Sequence, residues 1–477
     1  MGADATTSRD LLARLGDEAD PRAMEAALEA LAAGRFDAVF EDPAALDALA
    51  ALGDRLAGAL EAGAAQDASR ADAQRRAWLW LDAIRRPAVQ RRVAAAGAAD
   101  PWLARVLRVM GASRFTVARL LEQRAERYGP RPLFRETLRG EDVSHSWFEV
   151  ITRVDQLSCG FLALLDRHGR GPIAILSENR YEMALADLAC LGTGLVDLMI
   201  PANATDGDVA YVLAQAEAVI AVVSTEEQLR KIERHRATLP ALRAVVLLDR
   251  PAAPIPGVLS PAQLAALGRP VSAERLARER ASVDTRALAT VMYTSGTTGR
   301  PKGICFSQRN ILSKRFARAL ALPEIGEQDV FLCFLPLFHT FGRFLEMMGC
   351  VFWGATYVFL RDPSVDTLRE TMQRLRPTVF ISVPKKWIQL WEEIGRRADL
   401  DLDPEEALRA ATREVVGDRL RWGLSAAGYL APEIFRFFQG RGIELLSGFG
   451  MTEATGGITM TPVGGDRDDS LGVPHPG

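Results

Sequence analysis

The chain has 477 residues, of which 48% are hydrophobic and 25% charged, and it carries a formal net charge of -3. That length suggests roughly two to four domains with ample cores, and that balance belongs to a folded globular protein, not a disordered one. A slightly acidic chain excludes a surface built to neutralise many phosphates, so no nucleic-acid partner is expected. The five cysteines, Cys159, Cys190, Cys305, Cys333 and Cys350, form no CxxC pair. They read as buried, reduced thiols of a cytoplasmic protein. The opening MGADATTSRDLLARLGDEAD lacks the charged-then-apolar layout of an export signal. The most apolar run, MMGCVFWGATYVFL at 347–360, is shorter than the roughly 20 residues needed to span a bilayer.

Residues 1–112 are rich in Ala, Leu and Arg and contain no convincing strand. Asp20-Pro21, Asp42-Pro43 and Asp100-Pro101 each place a capping side chain before a proline suited to the first helical position. Beyond Pro43, Leu46, Leu49, Leu52, Leu56 and Leu60 recur at steps of three and four, the stripe of an amphipathic helix. An all-helical extension is expected. Within it Arg75, Arg76, Arg85, Arg86, Arg91 and Arg92 accompany Trp78 and Trp80. Such a basic face with aromatic anchors suits peripheral contact with the inner face of a membrane, and equally suits a solvated helix with inward tryptophans.

From Ser113 the pattern changes. PIAIL (172–176), VIAVV (219–223), AVVLL (244–248) and TVMYT (290–294) are short β-branched runs separated by helical segments such as RYEMALADLACLG. Strands alternating with helices predict an α/β fold, a mostly parallel sheet flanked by helices. The proline-rich stretch 251–287 reads as a looser connection with one short helix.

That connection leads into TVM and then YTSGTTGRPKG (293–303). Phosphate asks for donors and positive charge at close range. Glycines let backbone N–H groups turn towards one point, while Thr294, Ser295, Thr297 and Thr298 add hydroxyls and Lys302 a cation. A P-loop is excluded, because that motif needs Gly-Lys-Ser/Thr after its four-residue gap, whereas Lys302 is followed by Gly303.

YTSGTTGRPKG resembles the phosphate-binding signature of the adenylate-forming superfamily, which includes acyl-CoA synthetases, peptide-synthetase adenylation domains and beetle luciferases. FLPLFHTFGR (334–343), FISVPKKW (380–387), LSAAGYLAPE (424–433) and LLSGFGMTE (445–453) resemble its later segments in the same order. The His-to-Arg spacing and the Val-Pro-x-x-Trp segment are most similar to the long-chain fatty acyl-CoA synthetases. The likeness covers 113–477 and leaves 1–112 outside.

The resemblance implies that Thr294, Ser295, Gly296, Thr297, Thr298, Gly299 and Lys302 clasp the ATP triphosphate. It implies that Phe449 stacks on adenine and that Thr452 donates to the α-phosphate. Gly428, Tyr429 and Gly450 would be further nucleotide contacts, Glu453 would bind Mg²⁺ with Thr294, and His339 would position the acyl carboxylate. SAAGYL departs from the family's Ser-Gly-Gly-Ala-Pro-Leu: Ala426 and Ala427 stand where glycines are usual. The implied activity is activation of a fatty acid to acyl-AMP with pyrophosphate release, then transfer to coenzyme A. The family pattern continues with a β-subdomain and a lid domain beyond SLGVPHPG, so impaired turnover is expected of this chain. Delivery to a carrier-protein thiol, or a non-catalytic nucleotide- or acyl-binding role, remains open.

Overall fold

The computed structural model describes residues 10–11, 13–16, 20–62, 67–138, 140–294, 299–465 and 470–476. It divides into two compact units. One runs through Gln123 and takes in Leu312–Gly326; the other comprises Arg124–Ile311 and Glu327–Pro474.

The first unit is helical, as its sequence predicts. Its helices include Pro21–Ala32, Pro43–Glu61, Asp67–Ile84, Pro87–Ala95 and Ala99–Ala112. Asp20 accepts from the Ala23 N–H at 3.0 Å and Asp42 from the Ala44 N–H at 2.9 Å, so both expected caps form. The leucine stripe from Leu46 to Leu60 is buried throughout. Trp80 crosses it at Gly53, where an added Cβ would come within 2.6 Å of the indole, and its Nε1–H donates to the Leu49 carbonyl at 2.8 Å. Two expectations need correction. The last helix starts at Ala99 with no side-chain cap, so Asp100 lies inside the first turn and acts there on the helix dipole. The arginine set is not one exposed face either: Arg85, Arg86 and Trp80 are buried, and Arg85 pairs with Asp82 at 2.8 Å. No described helix is long and apolar enough to cross a membrane.

The second unit carries two sheets. β1 (Pro132–Leu138) and β2 (Glu141–Ser146) form a hairpin. Next come β3 (Ile173–Leu176), β4 (Asp197–Ile200), β5 (Ile220–Val223), β6 (Ala244–Leu247), β7 (Val258–Leu259), β8 (Leu288–Thr294) and β9 (Lys302–Ser307). They build a seven-stranded sheet in the order β7-β6-β5-β3-β4-β8-β9, parallel except for β9. The remaining strands are β10 (Val330–Cys333), β11 (Thr356–Phe359), β12 (Val379–Ser382), β13 (Trp422–Ala426), β14 (Glu444–Met451), β15 (Gly456–Met460) and β16 (Val473–Pro474). With β1 and β2 they form a nine-stranded sheet, β16-β15-β14-β13-β12-β10-β11-β1-β2, parallel from β14 to β1. Strands β3 to β6 are buried at every position, as continuous apolar runs covered on both faces should be.

The 251–287 connection holds two helices instead of one, Pro261–Gly268 and Ala273–Ala281. Ser260 and Ser272 cap them, each accepting at 3.2 Å from the third residue on. The cysteine expectation is also corrected. Cys190, Cys333 and Cys350 are buried, but Cys305 is exposed on edge strand β9, where alternate side chains face solvent.

Trp387 is fully buried between Phe380 and Phe438, at centroid distances of 5.3 and 5.1 Å. Its indole lies against the backbone of Gly423 in β13, where an added Cβ would sit 2.6 Å from two ring carbons. Gly423→Ala should therefore overpack this core and cost about 1–3 kcal/mol. A urea midpoint that falls with an unchanged slope is the expected result.

Candidate functional site

Both sheets present the carboxyl ends of their parallel strands as candidate site edges, where ligands gather in open α/β sheets. Thr294 ends β8 and Lys302 begins β9, and the two residues face each other in the antiparallel register. The Gly- and hydroxyl-rich segment thus joins two paired strands, unlike a P-loop, which leads from a strand into a helix. Ser295, Gly296, Thr297 and Thr298 lie outside the described residues. Thr294 is half-buried, Lys302 is exposed, and Gly299 takes the left-handed φ of 81° that favours glycine. The root is anchored on the helix Asp206–Gln215. Tyr293 Oη donates to Gln215 Oε1 at 2.6 Å, and the Arg300 guanidinium lies 5.4 Å from the Tyr211 ring centre.

The FHTFGR segment follows β10. Asn179, just past the end of β3, holds the approach to it. Its amide nitrogen donates to the carbonyls of Phe334 (3.3 Å) and Leu335 (2.6 Å), and its oxygen accepts from the Leu337 N–H (2.8 Å). The chain then enters a π-helical turn, Phe341–Met347, a geometry frequent at functional sites. Gly342 permits it, since an added Cβ would lie 2.4 Å from the Leu335 carbonyl oxygen. His339 sits at the exposed rim, yet enough protein surrounds its ring for desolvation to lower its pKa. It is therefore a neutral imidazole at pH 7, able to donate or accept a hydrogen bond. Of the aromatic residues here, Phe344, Phe352 and Trp353 are buried core, whereas Phe334, Phe338 and Phe341 keep partial exposure.

Arg343 is a brace. It is wholly buried, with Nε 2.9 Å from Asp187 Oδ2, Nη2 2.8 Å from Asp197 Oδ2, and Nη1 donating to Thr290 Oγ1 at 2.7 Å. It thereby locks the π-helical turn to β8, four residues before Thr294. Burial pushes the Asp197 carboxyl up to about 8, opposed by Arg343 and assisted by Asp187. On the same turn, burial holds the Glu346 carboxyl far above its usual range.

The GFGMTE segment ends β14 and opens the turn to β15. Gly450 faces Gly457, and an added Cβ on Gly450 would lie 2.5 Å from the Gly456 carbonyl. Thr452–Ala454 form a single 3₁₀ turn on which Glu453 is exposed and Thr452 half-buried. An added Cβ on Gly456 would be 4.0 Å from the Thr340 Cβ, so the residue after His339 borders this turn. Alongside, Ala426 of β13 pairs with Gly448 of β14. Beyond it, Gly428 lies near Pro384, and Tyr429 is 78% exposed, as Phe449 is 47% exposed on the neighbouring strand. Two uncovered aromatic side chains at one sheet edge offer a stacking surface.

Ala427 has a left-handed φ of 64°, unfavourable for any residue with a Cβ. Ala427→Gly should therefore stabilise the protein by about 0.5–1 kcal/mol, read as a raised denaturation midpoint.

The His339–Thr340 segment and the Thr452–Glu453 turn are thus neighbours, as are the tips of β13 and β14. Among the described residues no hydrogen bond or ion pair joins Thr294, Gly299 or Lys302 to Thr452 or Glu453. No described group of three or more His, Cys, Asp or Glu side chains could hold a metal. One exposed carboxylate with a hydroxyl does fit Mg²⁺ that keeps waters and arrives on nucleotide phosphates. Sequence reasoning missed Asn179, Asp187 and Asp197. For the two aspartates a signal was available: a charged Arg343 ahead of the apolar run from 347 needs a buried counter-charge.

The family model described as AMP-binding enzyme matches residues 121–477. Among curated proteins, the chain is 27% identical over 339 residues to the long-chain-fatty-acid–CoA ligase FadD15 of Mycobacterium bovis, covering 64% of this chain and 55% of that one. It is 28% identical over 387 residues to the long-chain-fatty-acid–CoA ligase ACSBG1 of Rattus norvegicus, covering 72% and 53%. The chain spans about half the length of these relatives. Its fold is similar to the anthranilate CoA ligase AuaEII in complex with anthranoyl-AMP, with a TM-score of 0.63, 20% identity, and 76% and 64% of the two chains covered. It is also similar to a long-chain-fatty-acid-CoA ligase from Archaeoglobus fulgidus, with a TM-score of 0.60, 17% identity, and 76% and 69% covered.

Proposed function

The chain belongs to the AMP-binding enzyme family, and from that premise we propose that it activates a fatty acid with ATP, forming acyl-AMP and pyrophosphate, as the first half of an acyl-CoA synthesis. The observation that carries this reading is the placement of the His339–Thr340 segment. It borders the Thr452–Glu453 turn through Gly456 and is fastened by Arg343 to β8, whose end opens the phosphate-binding segment.

The acyl carboxylate attacks the α-phosphate of ATP, and pyrophosphate leaves. Nucleophile and target are both anionic, so the site must chiefly align and neutralise them. Lys302 and the backbone and hydroxyl donors of 294–299 hold the triphosphate, and Thr452 donates to the α-phosphate. Mg²⁺ carried in with the nucleotide, with Glu453 and Thr294 as its protein ligands, would screen charge on the phosphates. Phe449 and Tyr429 face the adenine beside Gly428 and Gly450. His339, neutral at pH 7, orients the carboxylate by a hydrogen bond without binding it as a salt. The half-exposed Phe334, Phe338 and Phe341 supply apolar surface for the acyl chain. In the second half-reaction the coenzyme A sulfur attacks the acyl carbon and AMP leaves. A role for residues 1–112 as a peripheral docking extension belongs to the same proposal.

The test is fatty-acid-dependent exchange of labelled pyrophosphate into ATP by the full-length protein, across saturated acids from eight to eighteen carbons. Exchange that requires both the acid and Mg²⁺ is expected. Its absence with every acid would overturn the reading.

A further inference from the structure

A second binding place lies on the flank of the seven-stranded sheet. The helix Pro261–Gly268 roofs an apolar cavity of about 280 Å³ whose walls include Phe161, Leu185, Val222, Val246, Leu264 and Ala265. The roof is fixed at its far end. An added Cβ on Gly268 would lie 2.5 Å from the Gly160 backbone nitrogen, and one on Gly160 would lie 2.7 Å from the Leu264 carbonyl oxygen. With this helix in backbone contact there with the helix Trp147–His168, which carries Gly160, the roof cannot settle onto β5 and β6, and the cavity stays open.

Empty apolar space destabilises a protein in proportion to its volume. A cavity of roughly 150 Å³ already accepts a benzene-sized guest, and this one has about twice that room. Its lining is predominantly hydrophobic with few polar groups, the composition of a ligand pocket. The polarity of its rim is specific. Arg153 is exposed there and donates to Gln156 Oε1 at 3.1 Å; among the described residues no carboxylate is within ion-pair distance of it, and Glu149, one turn back, acts on it only at longer range. The one acid on the rim, Glu182, is already held by Arg180 at 2.8 Å. A cation with no carboxylate in contact, above an apolar shaft, favours an apolar chain with an anionic head.

We propose that this cavity binds a medium-chain monocarboxylate of about ten carbons, its chain under the helix Pro261–Gly268 and its carboxylate on Arg153. This site is separate from the nucleotide edge, and the inference does not depend on the ligase reading. Its mouth lies beside Tyr181 and Glu182, two and three residues after Asn179.

A decanoate analogue carrying a diazirine near its methyl end is the probe. Photolabelling of the protein, mapped by peptide mass spectrometry, should place adducts within 153–186, 222–248 or 261–265. Unlabelled decanoate should compete, and 1-decanol should compete at least tenfold less well. Ala265→Phe, which fills the shaft from the roof, should cut labelling there at least tenfold. Arg153→Gln, at an exposed position tolerant of change, should weaken competition by decanoate about tenfold. Adducts in 334–353 report the acyl site of the ligase reading and should persist in both variants. Absence of adducts in 153–186, 222–248 and 261–265 overturns the proposal. So does labelling unchanged by Ala265→Phe, or equal competition by decanol.

Discussion

Glu453→Gln should lower fatty-acid-dependent pyrophosphate exchange by about two orders of magnitude while leaving thermal stability unchanged. Glu453 is exposed on a short turn, so removing its charge costs the fold little. Its proposed task is different: a carboxylate among phosphates acts through charge-assisted contacts of about 1.5–3 kcal/mol, equivalent to roughly 10- to 150-fold in rate. Raising Mg²⁺ should recover part of the loss in Glu453→Gln. Lys302→Ala should lose a similar factor and gain nothing from the added metal. The exchange assay at two Mg²⁺ concentrations separates the roles, and wild-type rates in both variants would remove these residues from the site.

The second large effect is on stability. Arg343→Met should destabilise the second unit by about 3–5 kcal/mol in urea unfolding, because it strands Asp187 and Asp197 in the interior without their cation. The same cluster makes stability depend on pH. Asp197 titrates near 8 in the folded state and near 3.9 when unfolded, so between those values the folded chain holds an extra proton. Its stabilising contribution is complete below about pH 4, declines as pH rises, and is gone above about pH 8. Asp197→Asn, which mimics the protonated acid, should flatten that slope between pH 5 and 8. A slope identical to wild type would show that Asp197 is not the group that titrates.

Much of this was legible in the order of residues. The apolar runs of β3, β5 and β6 announce buried parallel strands because every position is hydrophobic, and the Asp-Pro pairs at 20 and 42 announce helix starts through their caps. Asp100-Pro101 misled because a capping residue also tolerates the first turn, and the neighbouring alanines let the helix begin earlier. The single helix expected at 251–287 became two, since Pro270 and Ser272 end one and start another. Composition cannot separate core from wall among the aromatics of 334–353. Phe344 lies inside the π-helical turn and is buried, whereas Phe334 follows β10 and keeps partial exposure. Nor could spacing reveal the partners of Arg343, which lie 146 and 156 residues away and meet it only through tertiary packing.

The amide of Asn179 uses both of its ends, giving hydrogens to Phe334 and Leu335 and taking one from Leu337. Such a joint reads polarity as well as shape. Aspartate, equal in size, would set a negative oxygen against two carbonyl oxygens, so slow hydrolytic deamidation at this position would push apart the two sheets' adjoining loops. Chemical ageing of one side chain would then surface as drift of His339, without any change in the residues that meet the substrate.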